Sequence, residues 1–313
     1  MKHHLPPRTG RQWAVVVSEL AVPAPFERSE FRACIGRHTH RDVELVPAVM
    51  RPGAPSGTWL RTDGADYFYY EEQTSSFHQA HIILSLAAHV LLGGAGAPSV
   101  EPRLVPGVSP GLVRMMLGSS ATGPVTHLEA ETFAFLAMER ARPACYPPSL
   151  ARRALRQLLP LRTALQEVIP VPTGAAADGF WPAASSRLHR QVIEIRDASL
   201  ALRHYRDPQM ALAATRAARG AGLAGDELAA TVEACVLSAA LRARSLGHPV
   251  RDASSHTGPP PVAGPDLRSE TACLVKVSRA FARLRCDREP GGVSENRPHS
   301  PASPVQADQA PFR

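Results

Sequence analysis

The chain has 313 residues, of which 35 are basic and 28 acidic, for a formal charge of +7, and 44% are hydrophobic. That length allows a sizeable core arranged as two domains, and the ordinary share of charged residues, 20%, excludes a wholly disordered polymer. No uninterrupted apolar run reaches the roughly 18 to 20 residues of a bilayer span, and Met1–Gly10 has no signal-peptide core, so a soluble, cytoplasmic protein with no transmembrane segment is expected.

Residues 1–22 read as an N-terminal extension whose apolar stretch Trp13–Val17 suits a short strand or a short helix. Phe26, Phe31, Cys34 and Ile35 recur at helical spacing and predict a first helix over about 26–37. Three β-like runs follow, Val43–Val46, Thr58–Thr62 and Tyr67–Glu71, the last two joined by the turn-forming Asp63-Gly64-Ala65. Ser76-x-x-Gln79 has the form of a capping box, and Ile82, Ile83, Leu86, Ala87, Val90 and Leu91 carry a helical apolar face up to Gly93-Gly94. After a Gly/Pro-rich connector with a short apolar piece at Leu112–Leu117, Thr126-x-x-Glu129 opens a second helix that runs to about Arg142.

Beyond Pro143 helical patterns dominate. Leu150–Leu159 and Leu161–Val168 form two pieces broken at Pro160, and Ser186–Tyr205, Pro208–Arg219 and Asp226–Leu246 read as three more helices. A last helix, about Ser269–Arg285, sets Leu274, Val277, Phe281 and Leu284 on one side and Lys276, Arg279 and Arg283 on the other. The predicted organisation is an extension over 1–22, an α+β domain over 23–144, connecting helices and linker over 145–182, and a helical domain over 183–249. A linker over 250–268, a basic amphipathic helix over 269–286 and a disordered tail over 287–313 complete it.

Charge and cysteines narrow the chemistry. Met1–Ala144 holds 13 basic and 13 acidic residues, so the whole excess sits in the second half, and it is arginine-based because Lys2 and Lys276 are the only lysines. Cys34, Cys145, Cys235, Cys273 and Cys286 are odd in number and form no C-x-x-C pair, which supports neither a disulfide framework nor a thiolate zinc site.

The helix behind Ser76 is the most informative segment. In H-E-x-x-H two imidazoles four residues apart grip one zinc ion and the Glu acts as general base on a metal-bound water. The corresponding five residues here are Ser85-Leu86-Ala87-Ala88-His89. Their surroundings, Pro25-Phe26, Gly57-Thr58-Trp59, Asp66-Tyr67-Phe68-Tyr69-Tyr70 and Phe77-His78-Gln79-Ala80-His81-Ile82-Ile83-Leu84, resemble the ImmA/IrrE family of zincin-like metallopeptidases, most of all its high-GC bacterial branch. Glu129-Ala130-Glu131-Thr132-Phe133-Ala134 is similar to that family's E-A-x-x-F-A helix, and the resemblance spans roughly 25–140.

The resemblance implies a zincin-like fold in which Ser85 stands at the first zinc-ligand position, Leu86 at the general base, His89 at the second ligand and Glu129 at the third. Serine keeps its proton near neutral pH and ligates zinc poorly, and leucine takes no proton from water. No catalytic group is therefore intact, no cofactor is expected, and zinc enters only through a rearranged site using His89, Glu129 and His127. His81 and His89 lie roughly 12 Å apart along the helix and cannot share one ion.

Residues about 180–248, with Arg187-Leu188-His189-Arg190 through Asp197 and Leu202-Arg203-His204-Tyr205, are similar to a helical domain of unknown function. That domain is found at the C-terminal end of proteins assigned to the membrane in actinobacteria, often encoded near ImmA/IrrE-type peptidases. Arg190, Glu194 and Asp197 share one helix face, where they can pair with one another or meet a partner. Together these features lead us to expect a catalytically degenerate regulatory component that binds a protein. The alternatives are an active zinc-dependent metallopeptidase with a rearranged site and a nucleic-acid-associated regulator working through the basic half. Lys276, Arg279 and Arg283 are candidate contacts to a partner or to the periphery of an anionic membrane.

Overall fold

The computed structural model describes residues 10–50, 54–91, 124–141, 146–169, 183–250 and 264–286. An N-terminal α+β region is followed by a mostly helical region. The first comprises α1 (Gly10–Glu19), α2 (Arg28–Thr39), β1 (Asp42–Ala48), β2 (Gly57–Arg61), β3 (Ala65–Glu71), α3 (Ser76–Leu91) and α4 (Pro124–Arg140). The second comprises α5 (Pro148–Val168), α6 (Ala184–Ala201), a 3-10 turn (Arg203–Tyr205), α7 (Pro208–Gly220), α8 (Gly225–Ser245) and α9 (Leu267–Cys286). The predicted apolar piece at Leu112–Leu117 and the tail over 287–313 lie outside the described residues.

The sheet has the order β1-β3-β2, with β3 in the middle, parallel to β1 and antiparallel to β2. Alternation along β3 turns Asp66, Phe68 and Tyr70 inward and leaves Tyr67 and Tyr69 half-exposed on the other face. Asp66 is fully buried and fully used: Arg41 Nε donates to one oxygen at 3.0 Å, and Arg61 Nε and Trp59 Nε1 each donate to the other at 3.0 Å. One carboxylate of β3 thus holds β2 and the residue that leads into β1. α3 packs across the sheet so closely that Gly57 of β2 is a contact point, since a Cβ there would fall 2.4 Å from Ile82 Cγ2.

The Trp13 region resolves as a helix, with Trp13 and Val17 buried on one side and the Trp13 ring edge-on to Phe133 at 5.2 Å. Three local expectations are corrected. α3 is capped by Ser75 rather than Ser76: Ser75 Oγ accepts from His78 N at 3.2 Å and its carbonyl accepts from Gln79 N at 2.8 Å. Pro160 does not break α5, which runs unbroken through it. Position 160 and position 156 one turn earlier both face outward, so the carbonyl deprived of its partner by proline lies on the wet side of the helix. Thr126 does not open α4 either, because that helix already begins at Pro124.

The buried side chains of both regions belong to one contiguous core running from Trp13 and Phe31 through Ile83 and Phe133 to Leu158, Leu188, Leu237 and Phe281. α3 and α6 lie at its centre and are buried almost all round. A helix in that position has no polar face left for solvent, so every polar residue it carries must find a partner inside the protein.

Candidate functional site

Four polar contacts join the two regions along one seam, buried except for the half-exposed Asp197. Arg203 Nη1 donates to Glu71 Oε2, whose carboxylate also accepts from the backbone N–H groups of Met50 and Gln73 at 2.9 Å each. Glu270 Oε1 accepts from Arg196 Nε and, at 2.9 Å, from Ser75 Oγ. His78 Nε2 stands 3.2 Å from Asp197 Oδ1, within ion-pair range but without hydrogen-bond alignment, and His78 Nδ1 pairs with Thr74 Oγ1 at 2.9 Å. His81 Nδ1 and His189 Nε2 are 3.2 Å apart. Descending from 81 through 78 to 71, the partners climb from 189 through 197 to 203, the order of two antiparallel segments, while Ser75 and Arg196 meet through Glu270.

The end of the seam at His81 has a defined proton arrangement. His81 is buried, which by itself would lower its pKa, but the charge of Glu131, its hydrogen bond at 3.1 Å and the charge of Asp197 outweigh burial and raise it. His189 is pushed well below the ordinary imidazole value by burial first and then by the neighbouring charge of His81, with His78 adding to this and Glu131 opposing it. Its ring sits among Phe77, Phe135 and His81, with centroids 5.2–5.3 Å away. The consistent state is an ionised Glu131 accepting from His81 Nε2–H, while His81 Nδ1–H donates to Nε2 of a neutral His189 that keeps its proton on Nδ1. Because His81 uses opposite edges of its ring for the two contacts, this is a hydrogen-bond chain and not a ligand set converging on one point. Among the described residues no group of three or more His, Cys, Asp or Glu is arranged to hold a metal ion.

The positions singled out by the motif behave differently from one another. Ser85 is half-buried, whereas Leu86 is 7% exposed and its Cδ1 would lie 3.2 Å from a Cβ at Gly57, so the position expected for a general base is an aliphatic plug against β2. His89 is half-buried in the last turn of α3, and Glu129 is buried in α4. The side chain of His127 lies outside the described ones. At the positions that the resemblance assigns to a ligand and a base stand a serine and a packed leucine, which offer zinc neither. Arg190, Glu194 and Asp197 all serve contacts within the chain. Glu194 accepts from Arg190 Nε at 2.9 Å and from Arg162 Nε of α5 at 3.1 Å, and Asp197 faces His78. Lys276 pairs with Asp226 at 2.8 Å, while Arg279 and Arg283 are exposed.

Sequence reasoning missed Glu131, His189, Arg196, Arg203 and Glu270 as members of a site. Polar residues interrupting the apolar faces of α3 and α6 were the available signal. The cysteines among the described side chains, Cys34, Cys235 and Cys273, are reduced thiols, and burial raises the pKa of Cys273 against the lowering charge of Arg196. A separate cleft of about 530 Å³ between α2 and β1 is lined by Arg32, Arg37, His40 and Glu44 among others and includes no residue of α3.

The geometry defines an α+β region with a three-stranded sheet, locked by the buried Glu71–Arg203 ion pair and its neighbouring polar contacts to a helical region. Residues 149–284, which take in α5 to α9 almost whole, match a model described as a family of unknown function (DUF6545). No curated protein and no solved structure matches the chain. Among the described residues no helix is long and apolar enough to cross a membrane.

Proposed function

We propose that the protein is a non-catalytic, regulatory component that binds a protein partner, a degenerate relative of ImmA/IrrE-type metallopeptidases. Its zincin-like motif helix has become the internal seam to the helical region. The observation that supports this reading most is Leu86, packed against β2 at the position where the family's general base would stand. Loss of a general base alone lowers a hydrolytic rate by about 10²–10⁴. The histidines one and two turns earlier are committed to Glu131, His189 and Asp197 and so serve packing between the regions rather than a water molecule. In this reading the chain holds its partner without cutting it.

Metal analysis of the purified full chain, combined with a peptidase assay, tests the proposal. Metal-free protein that leaves peptides intact supports it. Stoichiometric zinc that disappears together with activity in His89→Ala or Glu129→Ala overturns it in favour of an active metallopeptidase. Zinc binding gained by Ser85→His with Leu86→Glu supports the alignment of α3 with the motif helix, and a folded double variant that gains none overturns that alignment.

A further inference from the structure

The two helices that carry the basic excess of the chain lie side by side. α5 holds four arginines against Glu167, and α9 holds five cations against Glu270, a surplus equal to the whole formal +7. They pack as parallel neighbours: Ser278 Oγ donates to the carbonyl of Gln157 at 2.8 Å, and the Tyr146 phenol just ahead of α5 feels the charge of Arg268 at the start of α9. Axes of packed helices stand about 8–10 Å apart, so the outward side chains of both form one surface.

Some of these charges are spent inside the protein. Arg162 pairs with Glu194, Lys276 with Asp226, and Glu270 is buried under Arg196. The rest, Arg152, Arg153 and Arg156 on α5 and Arg268, Arg279, Arg283 and Arg285 on α9, are exposed and make no ion pair among the described residues. Arg152 and Arg156, like Arg279 and Arg283, are one helical turn apart, which spaces their bases by about 6 Å. Leu159, three residues beyond Arg156, remains 52% exposed. Within α5 and α9 themselves no aromatic ring is exposed.

We propose that this α5/α9 face docks on a membrane surface of anionic phospholipids. Arginines meet the headgroup phosphates, and Leu159 dips into the interfacial region. The charges alone would suit any polyanion, and Leu159 makes the choice. An exposed leucine gains nothing against a duplex phosphate backbone, and without aromatic rings the face cannot stack unpaired bases. An acidic protein segment would want an apolar pocket for an anchor residue, whereas this face is a flat pair of helices. The contact is peripheral, because Leu158, Leu161 and Leu165 of α5 and Leu274, Val277 and Phe281 of α9 are already buried in the core, so neither helix can turn its apolar side to lipid. This inference stands apart from the peptidase resemblance and survives its failure.

Flotation of the full chain with vesicles tests it. Vesicles of phosphatidylglycerol and phosphatidylcholine in equal parts are expected to retain the protein, and vesicles of phosphatidylcholine alone are not. Arg153→Gln with Arg156→Gln and Arg279→Gln should lower partitioning on the order of a hundred-fold, taking each arginine at its usual contribution near a charged surface. Leu159→Gln, which leaves the net charge unchanged, should lower it by about ten-fold. All these positions are exposed, and a retained circular dichroism spectrum confirms folding. Absence of binding, equal binding to both vesicles, or binding indifferent to Leu159→Gln overturns the proposal. Tighter binding to a DNA duplex with the same arginine dependence would reassign the face to nucleic acid.

Discussion

Glu71 and Arg203, 132 residues apart in sequence, form a buried ion pair between the end of β3 and the turn after α6. The carboxylate is the last residue of the central strand and also holds the backbone of Met50 and Gln73, so the pair fixes the sheet and the helical region in one geometry. Arg203→Met should strand a buried carboxylate and cost about 3–5 kcal/mol in urea unfolding. Adding Glu71→Gln should recover part of that loss, because the remaining group is then neutral and its single carbonyl oxygen keeps one of the two amide hydrogen bonds. A double variant no more stable than Arg203→Met would show that the pair is not coupled.

The His81–His189 contact makes stability depend on pH with two opposite signs. His81 has a raised pKa in the folded state, so its contribution is fully present below the unfolded value of about 6.5 and is lost as pH rises through its folded value. His189 has a lowered pKa, so its contribution is present above about 6.5 and is lost as pH falls towards its folded value. Thermal unfolding should therefore show an acid limb that is removed by His189→Phe and an alkaline limb that is flattened by His81→Gln. Melting curves from roughly pH 5 to 9 decide the matter. Unchanged limbs in both variants would place the titrating groups elsewhere.

Gly57 is where α3 presses on β2. Gly57→Ala puts a methyl group 2.4 Å from Ile82 Cγ2, and overpacking of this kind should cost about 1–3 kcal/mol. Combined with Ile82→Ala the two losses should be less than additive, as a shared contact requires. Strict additivity in chemical denaturation would mean that the helix moves away from the strand instead.

Pro160 sits on the exposed side of a continuous helix. Pro160→Ala restores the missing backbone donor to the carbonyl of Arg156 and removes the ring clash, and should raise stability by about 1 kcal/mol. A loss of stability would indicate that the proline restricts the unfolded chain more than it disturbs the helix.

What the sequence determined by itself was local. The apolar spacing of Leu274, Val277 and Phe281 fixes the buried side of α9, because periodicity is a property of consecutive residues, whereas the aromatic run Tyr67–Tyr70 marks a strand without telling which side faces inward. The α+β beginning and the helical remainder were legible for the same reason. The candidate site was legible only in part. His78, His81 and Leu86 lie on the informative helix, but their partners are 108 residues away or more in the cases of His189 and Asp197. A buried Arg196, Arg203 or Glu270 reads in one dimension like a solvent-facing charge, since nothing in its own neighbourhood reveals the opposite charge that lets it enter the core. The choice of Ser75 over Ser76 as the cap and the continuity of α5 through Pro160 turn on a single hydrogen bond and on the direction of one carbonyl. Only the tertiary structure decided these, because they depend on which groups meet in space and which are left to water.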